Sequence, residues 1–345
     1  MNPRILLVTT SLVLSVLIGT VIARRGGGVG EGGERRVPVI GLSLDTLKEE
    51  RWLRDRDRFV AAAERLGARV EVLSANSDDK VQAQDMNAFI SKRVDAIVIV
   101  PHDAKAMTQS VQAAREAGIP VLSYDRLVAD ADVTLYASFE NEKVGGQQAQ
   151  YLLSKLPGGK GRIIRLYGSK SDNNAHLFKK GQDRVLQPAI DRGDVKVIFE
   201  DWVQDWKPEN AKKIMNAAIS SQGKEFEGVL ASNDGTAGGV IQALMEEGIA
   251  GKAVVTGQDA DLAACQRIVR GTQTMTVYKP LQVLAESAAA AAVKLAKREV
   301  VVARATVNNG KYDVPSILSD TVAVDKANLF DTVVKDGFQP ADQLK

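Results

Sequence analysis

From Val37 onward the chain alternates short β-branched runs with segments of helical periodicity, and it does so twice. That alternation is what βα units need: buried parallel strands read as brief apolar runs, and the connecting helices carry one apolar stripe each. The first half offers strands at residues 39–44, 69–73, 96–100 and 120–124, and the second at 162–166, 195–199, 228–231 and 253–256. Between them, Phe59, Ala63 and Leu66, then Ala104, Met107, Val111 and Ala114, fall on single helix faces. Ala211, Ile214 and Ala218, and Val240, Ile241, Leu244 and Met245, do so in the second half. The predicted fold is α/β, two similar Rossmann-like lobes with parallel central sheets. A chain of 345 residues suits two such cores. Identities between the halves are few, so the repeat rests on the order and spacing of elements. An alanine-rich helix over 281–297 follows, then short segments at 305–307 and 321–324 that can carry a third crossing between lobes. A hinge of several strands leaves a cleft able to open and close.

In open parallel sheets ligands bind beyond the carboxyl ends of the strands, so the residues that follow each run are the candidates. After the first run come Asp45 and Arg51-Trp52, and after the fourth Asp125-Arg126. In the second half come Asp172-Asn173-Asn174, Trp206, Asn233-Asp234 and Gln258-Asp259, and Lys279 ends a further apolar run. Carboxylates, amides and guanidinium groups can each bond adjacent hydroxyls of a neutral polyol, and Trp52 and Trp206, one per lobe, offer flat faces to a sugar ring. The cations Arg51, Arg126 and Lys279 are matched by Asp125, Asp172 and Asp259, which disfavours an anionic ligand.

The amino terminus has a basic start, an apolar run from Ile5 to Ala23 and then Arg24-Arg25. Residues 1–23 read as a removable secretory signal or as an uncleaved anchor, and either exports the body to the periplasm. Residues 24–36 read as a flexible Gly/Arg-rich leader. Gly28, Gly30 and Gly33 match a dinucleotide spacing, but they precede the first strand instead of following one, so the match is coincidental. A net charge of +2 gives no electrostatic case for nucleic acid. The single Cys265 and the two histidines, His102 and His176, cannot supply a disulfide or a structural zinc site, and no cofactor or metal is expected.

Several stretches closely resemble the periplasmic D-xylose-binding proteins of ABC importers. These are Glu50-Arg51-Trp52, Ser74-Ala75-Asn76, Tyr124-Asp125-Arg126, the run Ser138 to Gly145, and, at the start of the second half, Asp172-Asn173-Asn174-Ala175. The run Trp206 to Ala211, Ala231-Ser232-Asn233-Asp234, the run Gly257 to Asp261 and the run Gly271 to Pro280 continue the resemblance almost to the carboxyl terminus. It implies the type I periplasmic binding protein fold, with one lobe at 37–143 plus 280–309 and the other at 144–279 plus 310–345. It also implies that Arg51, Asp125, Arg126, Asn174, Asn233, Asp259 and Lys279 bond a monosaccharide while Trp52 and Trp206 stack on it. Asp172 and Asn173 share the motif, and spacing does not decide which of these neighbours points inward. The implied partners are a monosaccharide and a membrane permease. The permease's ATPase would be a separate chain, since no G-x-x-x-x-G-K-[ST] is present here. A chemoreceptor is a further candidate partner, and the protein itself is expected to be a monomer.

Plainer readings exist for single residues. Asp172, Asn233 or Asp234 can serve only as helix N-caps, Arg51 as one charge in a solvated run, and Asp125-Arg126 as a local ion pair. Trp202 reads as packing and Cys265 as a small buried residue. Two other functions share parts of the pattern: a glycosidase using paired aspartates, and a sugar-responsive regulator of the same fold. The first needs a carboxyl with a raised pKa, against a setting of cations and amides, and the second needs a DNA-binding helix pair where this chain has its apolar run.

Overall fold

Each β-branched run named above becomes a strand and lies parallel to its partners in the sheet. The structure, a computed structural model, describes residues 36–344, so the apolar run, the glycine-spaced triplet and nearly all of the leader lie outside the described residues. The first part runs β1 (Val39–Leu44), α1 (Glu50–Arg65), β2 (Arg69–Ser74), α2 (Asp79–Ser91), β3 (Ala96–Ile99), α3 (Thr108–Glu116), β4 (Val121–Tyr124) and β5 (Leu135–Phe139). Next come α4 (Asn141–Lys155), β6 (Gly161–Tyr167), α5 (Asn173–Asp191), β7 (Val195–Trp202), α6 (Pro208–Gln222) and β8 (Gly228–Ala231). They are followed by α7 (Asp234–Glu246), β9 (Val254–Val255), α8 (Leu262–Arg270) and β10 (Met275–Tyr278). The tail adds α9 (Leu281–Ala296), β11 (Ala305–Asn308), β12 (Asp313–Ser319) and β13 (Val322–Asp325).

Side chains alternate across a strand, and both faces of each large sheet are covered. In the first, Ile40, Leu42, Ala96 and Val98 pack with α1 and the buried alanines of α9, while Ile97, Ile99 and Val121 meet Met86, Phe89 and Val111 of α2 and α3. In the second, Ile164, Leu166, Val229 and Ala231 face α6 and α7, whereas Ile163 and Leu230 face Ala149, Leu152 and Leu186 of α4 and α5. Two predicted stripe members are exposed, Leu66 after the last turn of α1 and Met245 in the last turn of α7, while Ala104 and Met107 are buried but precede the first turn of α3. Helices α4 and α5 cross with backbones touching. A Cβ on Gly145 would lie 1.9 Å from the carbonyl oxygen of Phe178, and one on Gly181 would lie 1.9 Å from that of Glu142.

Strand order is β11-β12-β5-β4-β3-β1-β2 in the first sheet and β7-β6-β8-β9 in the second, with β10 and β13 as a separate antiparallel pair. The expected return of the tail to the second lobe at residue 310 is therefore displaced. Strand β12 pairs parallel with β5 at Ser316–Ser319 and antiparallel with β11, so it belongs to the first sheet. On strand pairing the chain leaves that sheet only after Ser319 and joins β10 through β13. Among the described residues, no helix is long and apolar enough to cross a membrane.

Candidate functional site

The loops after β1, β4, β6, β7, β8, β9 and β10 converge on one cavity, which encloses about 620 Å³ of empty volume including its mouth. Of the sequence-predicted residues, Arg51, Trp52, Asp125, Arg126, Asp172, Asn174, Trp206, Asn233, Asp259 and Lys279 line it. Asn173 lies outside the lining. It is the first residue of α5, and the helical rotation that turns the buried Asn174 inward leaves Asn173 part-exposed.

Arg51 and Trp52 stand in the first turn of α1, and both are buried, so the guanidinium is no member of a solvated run. It donates to Asp125 Oδ2, to Asp55 at 3.1 Å and to Asp259 Oδ1 at 3.3 Å. Lys279 reaches the same Asp259 oxygen at 2.7 Å. Arg126 does not pair with its neighbour Asp125. Its Nη1 donates to Asp45 at 2.7 Å and its Nε lies 3.0 Å from Asp172 Oδ2. Both guanidinium groups lie near the Trp52 ring, at 4.4 Å for Arg51 and 5.2 Å for Arg126. Trp206 lies against Gly168, where a Cβ would come within 2.0 Å of the indole, and its Nε1 donates to Asp172 at 3.0 Å. Four residues here depart from ordinary backbone: Asp125 (φ 58°), Trp206 (φ 58°), Asp259 (φ 100°) and Ala260 (φ 55°). Such conformations cost on the order of 1–3 kcal/mol each and concentrate at ligand-holding positions.

Two capping readings hold alongside the lining role. Asp172 accepts from the Asn174 N–H at 2.9 Å, and Asn233 Oδ1 accepts from the Thr236 N–H at 2.8 Å. Asp234 instead is bonded by the side chains of Gln273 and Thr276. Burial would push the Asp125 carboxyl up, but Arg51 and Lys279 outweigh it and hold the group below the usual carboxylate range. At Asp172 the balance reverses. Burial dominates over Arg126 and pushes the group up, whereas the expected setting of cations and amides would have lowered it.

Residues 40–299 match the periplasmic binding protein domain. The chain belongs to the periplasmic binding protein family. The D-xylose-binding periplasmic proteins of Haemophilus influenzae and Escherichia coli are each 48% identical to it over 305 residues, 88% of this chain and 91% and 92% of theirs. A carbohydrate transporter solute-binding protein from Chloroflexus aurantiacus, solved with D-glucose, superposes with a TM-score of 0.82 at 33% identity, covering 88% of this chain and 97% of that one.

In this family member, sequence reasoning missed Glu49, Phe178, Pro208, Gly235, Gln258 and Asp261, all of which line the cavity. Gln258 was visible as a strand-end residue. Phe178 was not, because it reaches the site from the second turn of α5, where it meets Trp206 edge-on with ring centroids 6.3 Å apart. Asp261 adds a carboxyl that burial and the nearby Asp234 push well up. Cys265 is buried with its thiol pushed up by burial, as befits a packing residue, and Trp202 packs at a tilt against Tyr167 and His176, with ring centroids 4.9 Å and 4.8 Å away. Among the described residues, no group of His, Cys, Asp and Glu could hold a metal ion.

Proposed function

We propose that the protein captures one monosaccharide, D-xylose, between its two lobes and presents it to the permease of an ABC importer. The observation that carries this reading is the cavity itself: it lies at the strand ends of both sheets and combines two indoles with carboxylates, amides and cations. Those groups donate and accept in the mixed pattern that a ring of hydroxyls requires. The 48% identity to curated D-xylose-binding periplasmic proteins names the sugar. In this reading Arg51, Asp125, Arg126, Asp172, Asn174, Asn233, Asp259 and Lys279 bond the sugar, and Trp52 and Trp206 stack on it. Bonds that tie the walls together act with the sugar to hold the closed form, among them Arg126 to Asp172, Arg51 to Asp259, and the Ala104 N–H to Ser171 O at 3.0 Å. A ligand with higher affinity for the closed form shifts the population toward it, and that surface is what a permease, with its own ATPase chain, reads. The same surface is available to a chemoreceptor. Export to the periplasm follows from the apolar amino-terminal run.

The protein binds and releases its sugar unchanged. A raised Asp172 beside a lowered Asp125 has the look of a glycosidase pair, but two donors and a cation converge on Asp172: Asn174 N–H, Trp206 Nε1–H and the Arg126 guanidinium, whose Nε lies 3.0 Å away. A carboxyl so surrounded accepts hydrogen bonds and has no proton to deliver. Calorimetry against D-xylose, its epimers and D-glucose tests the reading, with tight one-to-one binding of D-xylose expected. Another sugar in first place keeps the site and removes the specificity, and no sugar binding removes the function. Sustained release of the aryl group from an aryl xyloside, lost in Asp125→Asn, would establish the enzyme instead.

A further inference from the structure

Inside the cavity, Arg51 of the first wall reaches across to Asp259 of the second. Three residues further along α1, on the same face of the helix, Arg54 makes a second crossing outside the cavity lining. Its guanidinium donates to the Phe338 carbonyl oxygen and, at 3.1 Å, to Gln339 Oε1, and it lies 4.7 Å over the Phe338 ring. Gln339 is buried, and its Nε2 donates at 2.9 Å to the carbonyl oxygen of Ala260, the residue that follows Asp259. The sense of this amide is fixed from both sides, because a guanidinium only donates and a carbonyl only accepts. The segment that carries Phe338 and Gln339 is seated on the second lobe. Before it, β13 pairs with β10; within it, Phe338 packs against Tyr278 with ring centroids 5.1 Å apart; after it, Gln266 of α8 donates to the Gln343 carbonyl oxygen at 2.7 Å.

We propose that Arg54 and Gln339 form a clasp between the lobes, which closes together with the Arg51–Asp259 contact and raises affinity for every sugar by the same factor. The inference rests on the sugar-binding reading and adds to it two positioning residues that do not touch the ligand. Both crossings join the same two pieces of backbone: one turn of α1, and the consecutive residues Asp259 and Ala260. A helical turn is rigid, so the two crossings form and break together. Asp259 and Ala260 stand at φ 100° and 55°, conformations that residues other than glycine keep only where their surroundings hold them. Gln339 holds the Ala260 carbonyl, and the Thr276 hydroxyl holds its N–H at 3.2 Å. A contact that stabilises only the closed form multiplies its population by a fixed ratio, whichever sugar lies inside.

The test is calorimetry of the full-length protein with D-xylose, its epimers and D-glucose, in wild type, Arg54→Met, Gln339→Met and the double variant, with stopped-flow tryptophan fluorescence for the rates. Arg54→Met keeps an apolar stem against Phe338 and removes the donors. It is expected to weaken every sugar that wild type binds by one common factor, about tenfold, and to do so through faster dissociation. Gln339→Met should act alike, and the double variant should lose no more than either single one. Arg54 also pairs with the exposed Glu50, so Glu50→Gln removes that pair alone and should bind as wild type does. If Gln339→Met does not fold, the part-exposed Arg54 decides the matter by itself. Unchanged affinity in Arg54→Met, a loss that differs from sugar to sugar, or losses that add in the double variant overturn the proposal. Wild-type protein that binds none of these sugars defeats the function reading and this inference together, whereas sugar binding that ignores Arg54 defeats the inference alone.

Discussion

The two walls of the cavity are built on different chemistry. On the first, Arg51, Asp125 and Arg126 are tied to Asp45 and Asp55, and Asp55 is bonded in turn by the Tyr124 hydroxyl, so buried charges are matched by partners from the same lobe. The second presents the neutral groups Asn174, Trp206, Asn233 and Gln258 beside Asp172, which faces Arg126, Asp259, which is shared between Arg51 and its own Lys279, and Asp261. Isolated buried charges are far more expensive than isolated amides. A wall whose ion pairs are internal keeps them when the cleft opens, and a wall of amides can take up water at small cost. Under the closing motion proposed above, the first wall is the preorganised half of the site and the second is the half that engages.

The largest expected effect tests the charged wall. Asp125→Ala leaves Arg51 buried without its closest partner, and sugar affinity should fall by about 2–5 kcal/mol. Calorimetry showing a loss below tenfold would mean that the first wall does not depend on its internal pairing. On the neutral wall, Trp206→Ala removes a ring face and should weaken binding by about 2 kcal/mol while the thermal midpoint changes little. Unchanged affinity would take Trp206 out of the site.

Acidity separates the walls in sign, with a smaller net effect because the two terms oppose. Asp125 is depressed in the folded protein, so its contribution to stability is present above the unfolded carboxylate value, about 3.9, and is lost as pH falls through the lower folded value. Asp172 is raised, so its ionised form opposes folding, and stability declines as pH rises from about 3.9 through its folded value. Thermal melts of Asp125→Asn and Asp172→Asn, each compared with wild type between about pH 3 and 7, should show differences that run in opposite directions. Parallel trends would remove the contrast.

The walls also differed in how legible they were. Strand-end polarity located the charged one except for Glu49, because Arg51-Trp52 opens the helix after β1 and Asp125-Arg126 follows β4 directly. The neutral one needed side-chain direction as well as position, which is why Asn173 was included and Gln258 and Phe178 were left out. The same limit governs the fold. The β-branched runs became strands, but β12 was missed because Pro315 interrupts it. The missing N–H is tolerated there because β5 pairs only from Ser316 onward and Pro315 faces β11 alone. Strand β5, Leu-Tyr-Ala-Ser-Phe, is too short and mixed to declare a period. The resemblance supplied the order of the site residues, which periodicity does not contain.

The smallest effect makes the sharpest distinction within the neutral wall, because Asn233 both caps α7 and lines the cavity. Asn233→Ala removes both roles and should cost about 1 kcal/mol of stability along with affinity. Asn233→Ser keeps a capping oxygen for the Thr236 N–H and removes only the amide that can reach a ligand. Its melting temperature should match wild type, while its sugar affinity falls by about 1 kcal/mol. If the serine variant binds as tightly as wild type, Asn233 is a cap that happens to face the cavity, and the second wall holds its sugar through Asn174 and Trp206 without it.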